Sequence, residues 1–299
     1  MVAEMCGMEA ALFVTSGTMG NLLSIRALTQ PGDEIILEGT SHTYQWETGG
    51  YAALAGVGVR LIHADRGIIR PEQIRPAVQP ADLHHCRSRL VVLENTHNRG
   101  GGSVYPVETV EAISRVYRRE GLRLHMDGAR LFDACVAAGC TPADYARHLD
   151  SVTFCLSKSL GCPVGSMIAG SREFIERVRW LRHMFGGAMR QIGYLAAAGI
   201  YALEHNIDRL AEDHANARRL ADGIRDLPGI RLVYDRPETN MVYFDVLPPR
   251  EPAEFCEALR GGRLLVGGHE TKPVRAVTHI GITADDIDRA IAVFRAHCA

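Results

Sequence analysis

Residues 152–156 (Val-Thr-Phe-Cys-Leu) run directly into Ser157-Lys158-Ser159, with Gly161, Pro163 and Gly165 close behind. The apolar run is short, β-branched and aromatic, which predicts a buried strand. A lysine just past the end of such a strand, in a turn of small residues, stands where open α/β sheets place their ligands. Partial desolvation there lowers an amine's pKa and makes it a nucleophile, suited to a Schiff base with an aldehyde cofactor. For an isolated Ser-Lys-Ser, a solvated turn lysine is the ordinary reading. Two upstream segments tell against it.

One is His125-Met126-Asp127-Gly128-Ala129-Arg130, which closes the apolar segment 122–126. It is a second strand end, carrying a carboxylate and a guanidinium. The stretch from Asp127 to Lys158 leaves room for one helix and one strand in a parallel sheet. The other is Thr15-Ser16-Gly17-Thr18-Met19-Gly20-Asn21, between the apolar segment 10–14 and a helical pattern over 22–28. Small and hydroxyl residues opening a helix make an anion site, because unpaired backbone N–H groups and the helix dipole both favour phosphate. A phosphate cradle, a strand-end aspartate and a strand-end lysine, in that order, suit pyridoxal 5'-phosphate (PLP). The lysine takes the aldehyde, and the aspartate keeps the pyridine nitrogen protonated so that the ring can accept electrons.

Bulk properties narrow the class further. A chain of 299 residues can build a large core and two domains. A net charge of −2 with no basic tract gives no electrostatic case for nucleic acid or an anionic membrane. The eight cysteines are scattered without a Cys-x-x-Cys spacing, as expected of reduced thiols in a cytoplasmic enzyme. No run is long enough to span a membrane, and no signal peptide is visible. Residues 1–8 read like the last turns of an amphipathic helix, which suggests an absent earlier segment. Adjacent His84 and His85 invite a metal reading, but neighbouring side chains diverge and no ligand spacing follows, so no metal is expected.

The remaining pattern alternates strands and helices. Strands are predicted over 34–37, 59–63 and 90–93, 166–169 is another short apolar segment, and helices are predicted over 47–55, 71–78, 106–119 and 172–182. Residues 192–227 read as one or two long helices. Beyond Pro228-Gly229 come strands at 230–233, 240–246, 264–266 and 274–279, with helices at 252–259 and 284–297. The expected architecture is α/β: a large domain over 1–205 with a mainly parallel sheet, and a small α+β domain over 206–299 that includes the linking helix.

The segments SGTMGN, SHTYQWETGG, LENTHN, HMDGARL, SKSLGCPVGS, GGAMRQ and VRAVTH occur in that order. Together they resemble the low-specificity L-threonine aldolases of the β-eliminating lyase group, PLP enzymes of the aspartate-aminotransferase fold. The resemblance covers nearly the whole chain. It implies cleavage of β-hydroxy-α-amino acids such as L-threonine and L-allo-threonine to glycine and an aldehyde, in a homodimer or homotetramer with shared active sites. Lys158 would carry the cofactor and Asp127 would meet its ring nitrogen. Arg130 would lie near the cofactor's phenolic oxygen and the substrate carboxylate. Gly17 and Thr18 would bind phosphate. His42 would stack on the ring and join in proton transfer. Arg275 would hold the substrate carboxylate, with Arg190 reaching the same or a neighbouring subunit's site, and His84 is a weaker candidate for the substrate hydroxyl.

Each role has a plainer counterpart. Asp127 could cap the following helix and Arg130 could pair with it; His42 could be an ordinary loop histidine. His97 and His125 read as structural, and Trp46 and Trp180 as packing residues. Three departures from the family pattern stand out: an N-terminal arm bearing a serine near the substrate carboxylate is absent, position 183 is histidine, and the triple glycine reads Gly186-Gly187-Ala188. Alternatives are another PLP reaction on the same scaffold, such as β-elimination or racemisation, and a PLP-binding fragment without catalysis.

Overall fold

The apolar runs 35–37, 90–93 and 152–154 become strands of one seven-stranded sheet in a computed structural model that describes residues 1–267 and 273–298. The strands of that sheet are Ala10–Val14 (β1), Asp33–Glu38 (β2), Gly58–Ile62 (β3), Arg87–Glu94 (β4), Arg123–Asp127 (β5), Ser151–Cys155 (β6) and Ser166–Gly170 (β7). Their order is β1-β7-β6-β5-β4-β2-β3. From β6 to β3 all neighbours are parallel, and β7 is antiparallel to both β6 and β1. The expected α/β architecture with a mainly parallel sheet is therefore present.

Continuous burial explains the continuous apolar runs. Ile35 and Leu37 enter one core cluster with Ile25, Leu90 and Val92, while Ile36 between them is equally buried on the other face. A strand covered on both faces has no solvent side to make polar. Each such aliphatic side chain contributes about 1.5–3 kcal/mol of burial free energy. Helices Gly17–Leu28 and Arg172–Met184 pack together over β1 and β7 through Leu12, Val14, Leu23, Ile168, Phe174 and Val178. Both helices begin at a serine whose hydroxyl accepts a backbone N–H: Ser16 from Met19 at 3.1 Å and Ser171 from Phe174 at 3.2 Å.

These strands and helices lie in a first unit, Met1–Ile207; the second unit is Asp208–Ala299. In the second, Ile230–Leu232 (β8), Met241–Val246 (β9) and Val274–Val277 (β10) form an antiparallel sheet in the order β10-β9-β8. Helices Leu210–Ile224, Pro252–Gly261 and Ala284–Cys298 enclose a core centred on Phe244, Phe255 and Phe294, whose ring centroids are 5.4–6.3 Å apart.

Several sequence expectations need correction. The helix expected over 47–55 shrinks to Gly50–Ala53, because Thr48 (φ 54°) and Gly49 (φ 68°) take left-handed conformations that break it. No strand forms over 264–266; only Gly267 bridges to Arg275. Trp46 and Trp180 are not packed in the core but exposed, Trp46 beneath the Arg99 guanidinium at 5.4 Å. Among the described residues, all eight cysteines are free thiols, Cys86 exposed and Cys140 half-buried. No described helix is long and apolar enough to cross a membrane.

Candidate active site

The parallel strands deliver their carboxyl ends to one edge of the sheet, and the chemistry-bearing residues collect there. Register places Glu94 at the end of β4 beside Asp127 at the end of β5, and Asp127 beside Thr153 in β6. Lys158 follows the end of β6 in a bend, half-buried, and its amine engages no partner among the described residues. Ser166 opens β7 opposite Cys155 at the same edge.

The cradle helix starts on top of this edge. A Cβ on Gly17 would stand 2.8 Å from Cys155 Sγ, and one on Gly20 would stand 2.9 Å from Thr153 Cγ2. Only glycine lets the helix backbone lie so close to β6. The N–H of Met19 goes to Ser16 Oγ and that of Gly20 to the Ser16 carbonyl. The N–H groups of Gly17 and Thr18, the first two of the helix, have no acceptor among the described residues. Beneath them the Ser166 hydroxyl is fully buried with no hydrogen-bond partner, 3.8 Å from where a Gly17 Cβ would be.

Asp127 is buried, and its Oδ1 accepts the Ala129 N–H at 3.1 Å. Its Oδ2 accepts from Asn21 Nδ2 at 2.8 Å. Arg130 is half-buried at the start of the helix Leu131–Ala138, in the same strand-to-helix turn. His42 begins a one-turn helix, His42–Gln45, where the sequence suggested a plain loop. Its backbone N–H donates to Glu94 Oε2 at 2.6 Å, which ties that turn to the end of β4. Its Nδ1 lies 3.0 Å from Glu47 Oε1, and the same oxygen accepts from Asn21 Nδ2 at 2.9 Å. The hydrogen bond to Glu47 raises the His42 pKa above the ordinary imidazole value, against an opposing effect of burial.

His42, Glu47 and Asp127 offer atoms within 4.8 Å of one another. A cation is ill suited to that gap, because the Asn21 amide already points its hydrogens at both carboxylates. The donor set fits PLP instead: two free amides for phosphate, a buried carboxylate for a protonated ring nitrogen, and an unengaged amine for an aldehyde.

Gly17, Thr18, His42, Asp127, Arg130 and Lys158 thus share one edge of the sheet. His84 does not. It lies exposed in the loop before β4, its N–H donating to Asp82 Oδ1 at 2.8 Å, at the amino end of a strand whose carboxyl end carries the cluster. Within one chain its catalytic assignment does not stand. Arg190 is exposed three residues beyond Gly187, whose Cα packs on Met19 of the cradle helix. Arg275 is half-buried on β10 in the second unit. His97 and His125 are fully buried: His97 Nδ1 accepts the Gly100 N–H at 3.1 Å, and His125 Nδ1 meets Ser151 Oγ at 2.8 Å.

Asn21, Glu47 and Glu94 were assigned no part from sequence, although each lies inside one of the quoted segments. The sequence signal for Glu94 is a carboxylate directly after the apolar run 90–93, at a strand end as Asp127 is.

Comparison with known proteins follows the same lines. Residues 1–247 match the family described as beta-eliminating lyase. The chain is 39% identical over 299 residues to the low specificity L-threonine aldolase of Escherichia coli K12, covering 99% of this chain and 87% of that one. It is 39% identical over 303 residues to the low-specificity L-threonine aldolase 1 of Arabidopsis thaliana, covering 98% and 84%. In fold it resembles the threonine aldolase of Leishmania major, with a TM-score of 0.84 at 22% identity over 97% of this chain and 84% of that one. It also resembles Thermus thermophilus aspartate aminotransferase, with a TM-score of 0.70 at 17% identity over 99% and 78%.

Proposed function

This chain belongs to the beta-eliminating lyase family, and on that footing we propose that it is a PLP-dependent carbon–carbon lyase. Its substrates are L-threonine, L-allo-threonine and related β-hydroxy-α-amino acids, which it cleaves to glycine and an aldehyde. The observation that carries this reading is the convergence of the Asp127 carboxylate, the Lys158 strand end and the open amides of Gly17 and Thr18 at one sheet edge.

When bound, PLP supplies an electron sink for the negative charge left at the substrate Cα. The chain's own groups do the rest. Lys158 would hold the cofactor through its aldehyde. Asp127 would keep a proton on the ring nitrogen, and the Gly17 and Thr18 amides would hold phosphate. Arg130 would offer its guanidinium to the cofactor's phenolic oxygen. Arg275 takes the substrate carboxylate, a task suited to a planar two-pronged donor. Arg190 serves on the substrate side, in its own or a partner subunit's site. With Nδ1 committed to Glu47, His42 presents Nε2 to accept the β-hydroxyl proton, either directly or through one water. Loss of that proton drives cleavage of the Cα–Cβ bond and release of the aldehyde.

We place the enzyme in a homo-oligomer, a dimer or tetramer. Exposed Trp180 and Met184 on one helix, with Tyr194 and Tyr201 on the helix Gly193–His205, support this, because large apolar side chains left exposed suit subunit contacts.

The test is product identification with L-threonine, L-serine and L-alanine. Acetaldehyde and glycine from L-threonine are expected. Ammonia and a 2-oxo acid instead would reassign the chain to β-elimination, and D-alanine from L-alanine would reassign it to racemisation. Lys158→Ala is expected to abolish both aldehyde release and the bound cofactor's visible absorbance; retention of both would remove the lysine from its role.

A further inference from the structure

The side-chain amide of Asn21 sits at the centre of a buried network that joins the cradle helix, β5, β6 and the bend at Glu47. Asn21 is 1% exposed, one turn into the cradle helix. Its Nδ2 donates to Asp127 Oδ2 at 2.8 Å and to Glu47 Oε1 at 2.9 Å. Its Oδ1 faces Thr153 Oγ1 at 2.8 Å and His125 Nε2 at 3.2 Å.

The orientation of this amide is dictated by its partners. Both carboxylate oxygens lie at hydrogen-bond distance from the same amide atom and accept from it, so the NH2 group faces Asp127 and Glu47. The oxygen then needs donors. Thr153 supplies a hydroxyl from β6, directly opposite Asp127 in register. His125 supplies an Nε2–H, its Nδ1 being taken by Ser151 Oγ. Burial holds the His125 imidazole neutral, its pKa pushed down to about 4, so it carries a single ring proton.

Each amide hydrogen of Asn21 therefore goes to a different carboxylate, and the two carboxylates serve different groups. Asp127 is the acid for the cofactor ring, and Glu47 is the partner of His42. Burial, with the neighbouring Asp127, pushes the Glu47 pKa up, and the hydrogen bond from Asn21 is one of the contacts that pull it back down.

We propose that Asn21 is a positioning residue for the cofactor ring: its amide keeps the Asp127 carboxylate aimed at the ring nitrogen while holding Glu47 on His42. Asn21 itself does not touch the ring. The proposal rests on the reading of this edge as a PLP site and deepens it.

A pair of cofactors tests it. One is PLP; the other is its analogue with a C–H in place of the ring nitrogen, which leaves Asp127 nothing to pair with. Dissociation constants for both are measured by equilibrium dialysis on the full chain stripped of cofactor. Asn21→Ala is expected to weaken PLP binding about tenfold while changing binding of the analogue by less than about twofold, since only the ring nitrogen can pair with the Asp127 carboxylate. Equal losses for both cofactors would mean that Asn21 merely supports the fold, and would overturn the proposal. Thr153→Val guards against a misfolded Asn21→Ala: it keeps the methyl beside Gly20 and removes only the hydroxyl that fixes the amide. It is expected to show the same selectivity at smaller size; equal weakening of both cofactors would again overturn the proposal. A wild-type chain that binds neither cofactor would instead overturn the site reading itself, an outcome separate from loss of selectivity.

Discussion

A histidine held at one ring nitrogen by a buried glutamate is oriented by that partner and more readily protonated beside it, and this is the situation of His42. Glu47 favours the protonated imidazole, so the folded-state pKa lies above the ordinary value of about 6.5. His42 can act as a base only when neutral. The value of kcat/KM should therefore rise with pH through a midpoint above about 6.5. Glu47→Gln should move that midpoint to lower pH, and a pH–rate profile of the two proteins reads the difference; an unmoved midpoint would detach the carboxylate from His42. The stability effect runs the other way. A raised pKa contributes fully below about 6.5 and is lost as pH rises through the folded-state value, so melts of wild type and Glu47→Gln should converge at alkaline pH. At this scale sequence showed which residue types were present but not whom they meet. Asn21 and Asp127 bond across a separation of 106 positions, and no local pattern encodes that contact.

The cradle helix and β6 form a joint whose tightness is a matter of two glycines. Gly20→Ala would drive a methyl to within 2.9 Å of Thr153 Cγ2, and overpacking of this kind costs about 1–3 kcal/mol. A fall in Tm is expected, together with weaker PLP binding as the helix start lifts off the sheet edge. Gly193→Ala is the control: nothing lies within 4 Å of its Cβ position, so its Tm should hold or rise. In the second unit, Phe294→Ala should cost about 3–5 kcal/mol, because that ring fills the space between Phe244 and Phe255. Denaturant unfolding measures both effects. Elements with strong periodicity or apolar runs were legible from sequence, including five strands of the large sheet, while 10–14 and 166–169 were read only as apolar segments. The expected helix at 47–55 and strand at 264–266 were not borne out. Alanine and glycine content says little where Thr48 adopts positive φ, and a strand needs a partner that 264–266 does not find.

For the whole molecule, substrate recognition and assembly are the open questions, and each has a direct test. Arg275→Ala should raise the KM for L-threonine at least about tenfold with a smaller change in kcat, the loss expected for a charge-assisted hydrogen bond. An unchanged KM would assign the carboxylate to another residue. Sedimentation velocity should give a dimer or tetramer, and Trp180→Glu with Tyr194→Glu should lower the mass by burying charge in the contact; a monomeric wild type would refute the oligomer. The sequence alone determined the α/β architecture, the cofactor class, and the strand ends that carry Asp127 and Lys158. Strand length, periodicity, small residues and caps are local properties, and a parallel sheet gathers its carboxyl ends on one edge by construction. Only the tertiary structure decided that Asn21 lies between two carboxylates, that Glu94 ties down His42, and that His84 stands at the far end of its strand from the cluster. Those outcomes depend on strand order and on which side chains burial forces together, and buried polar atoms then take whatever partners packing leaves within reach.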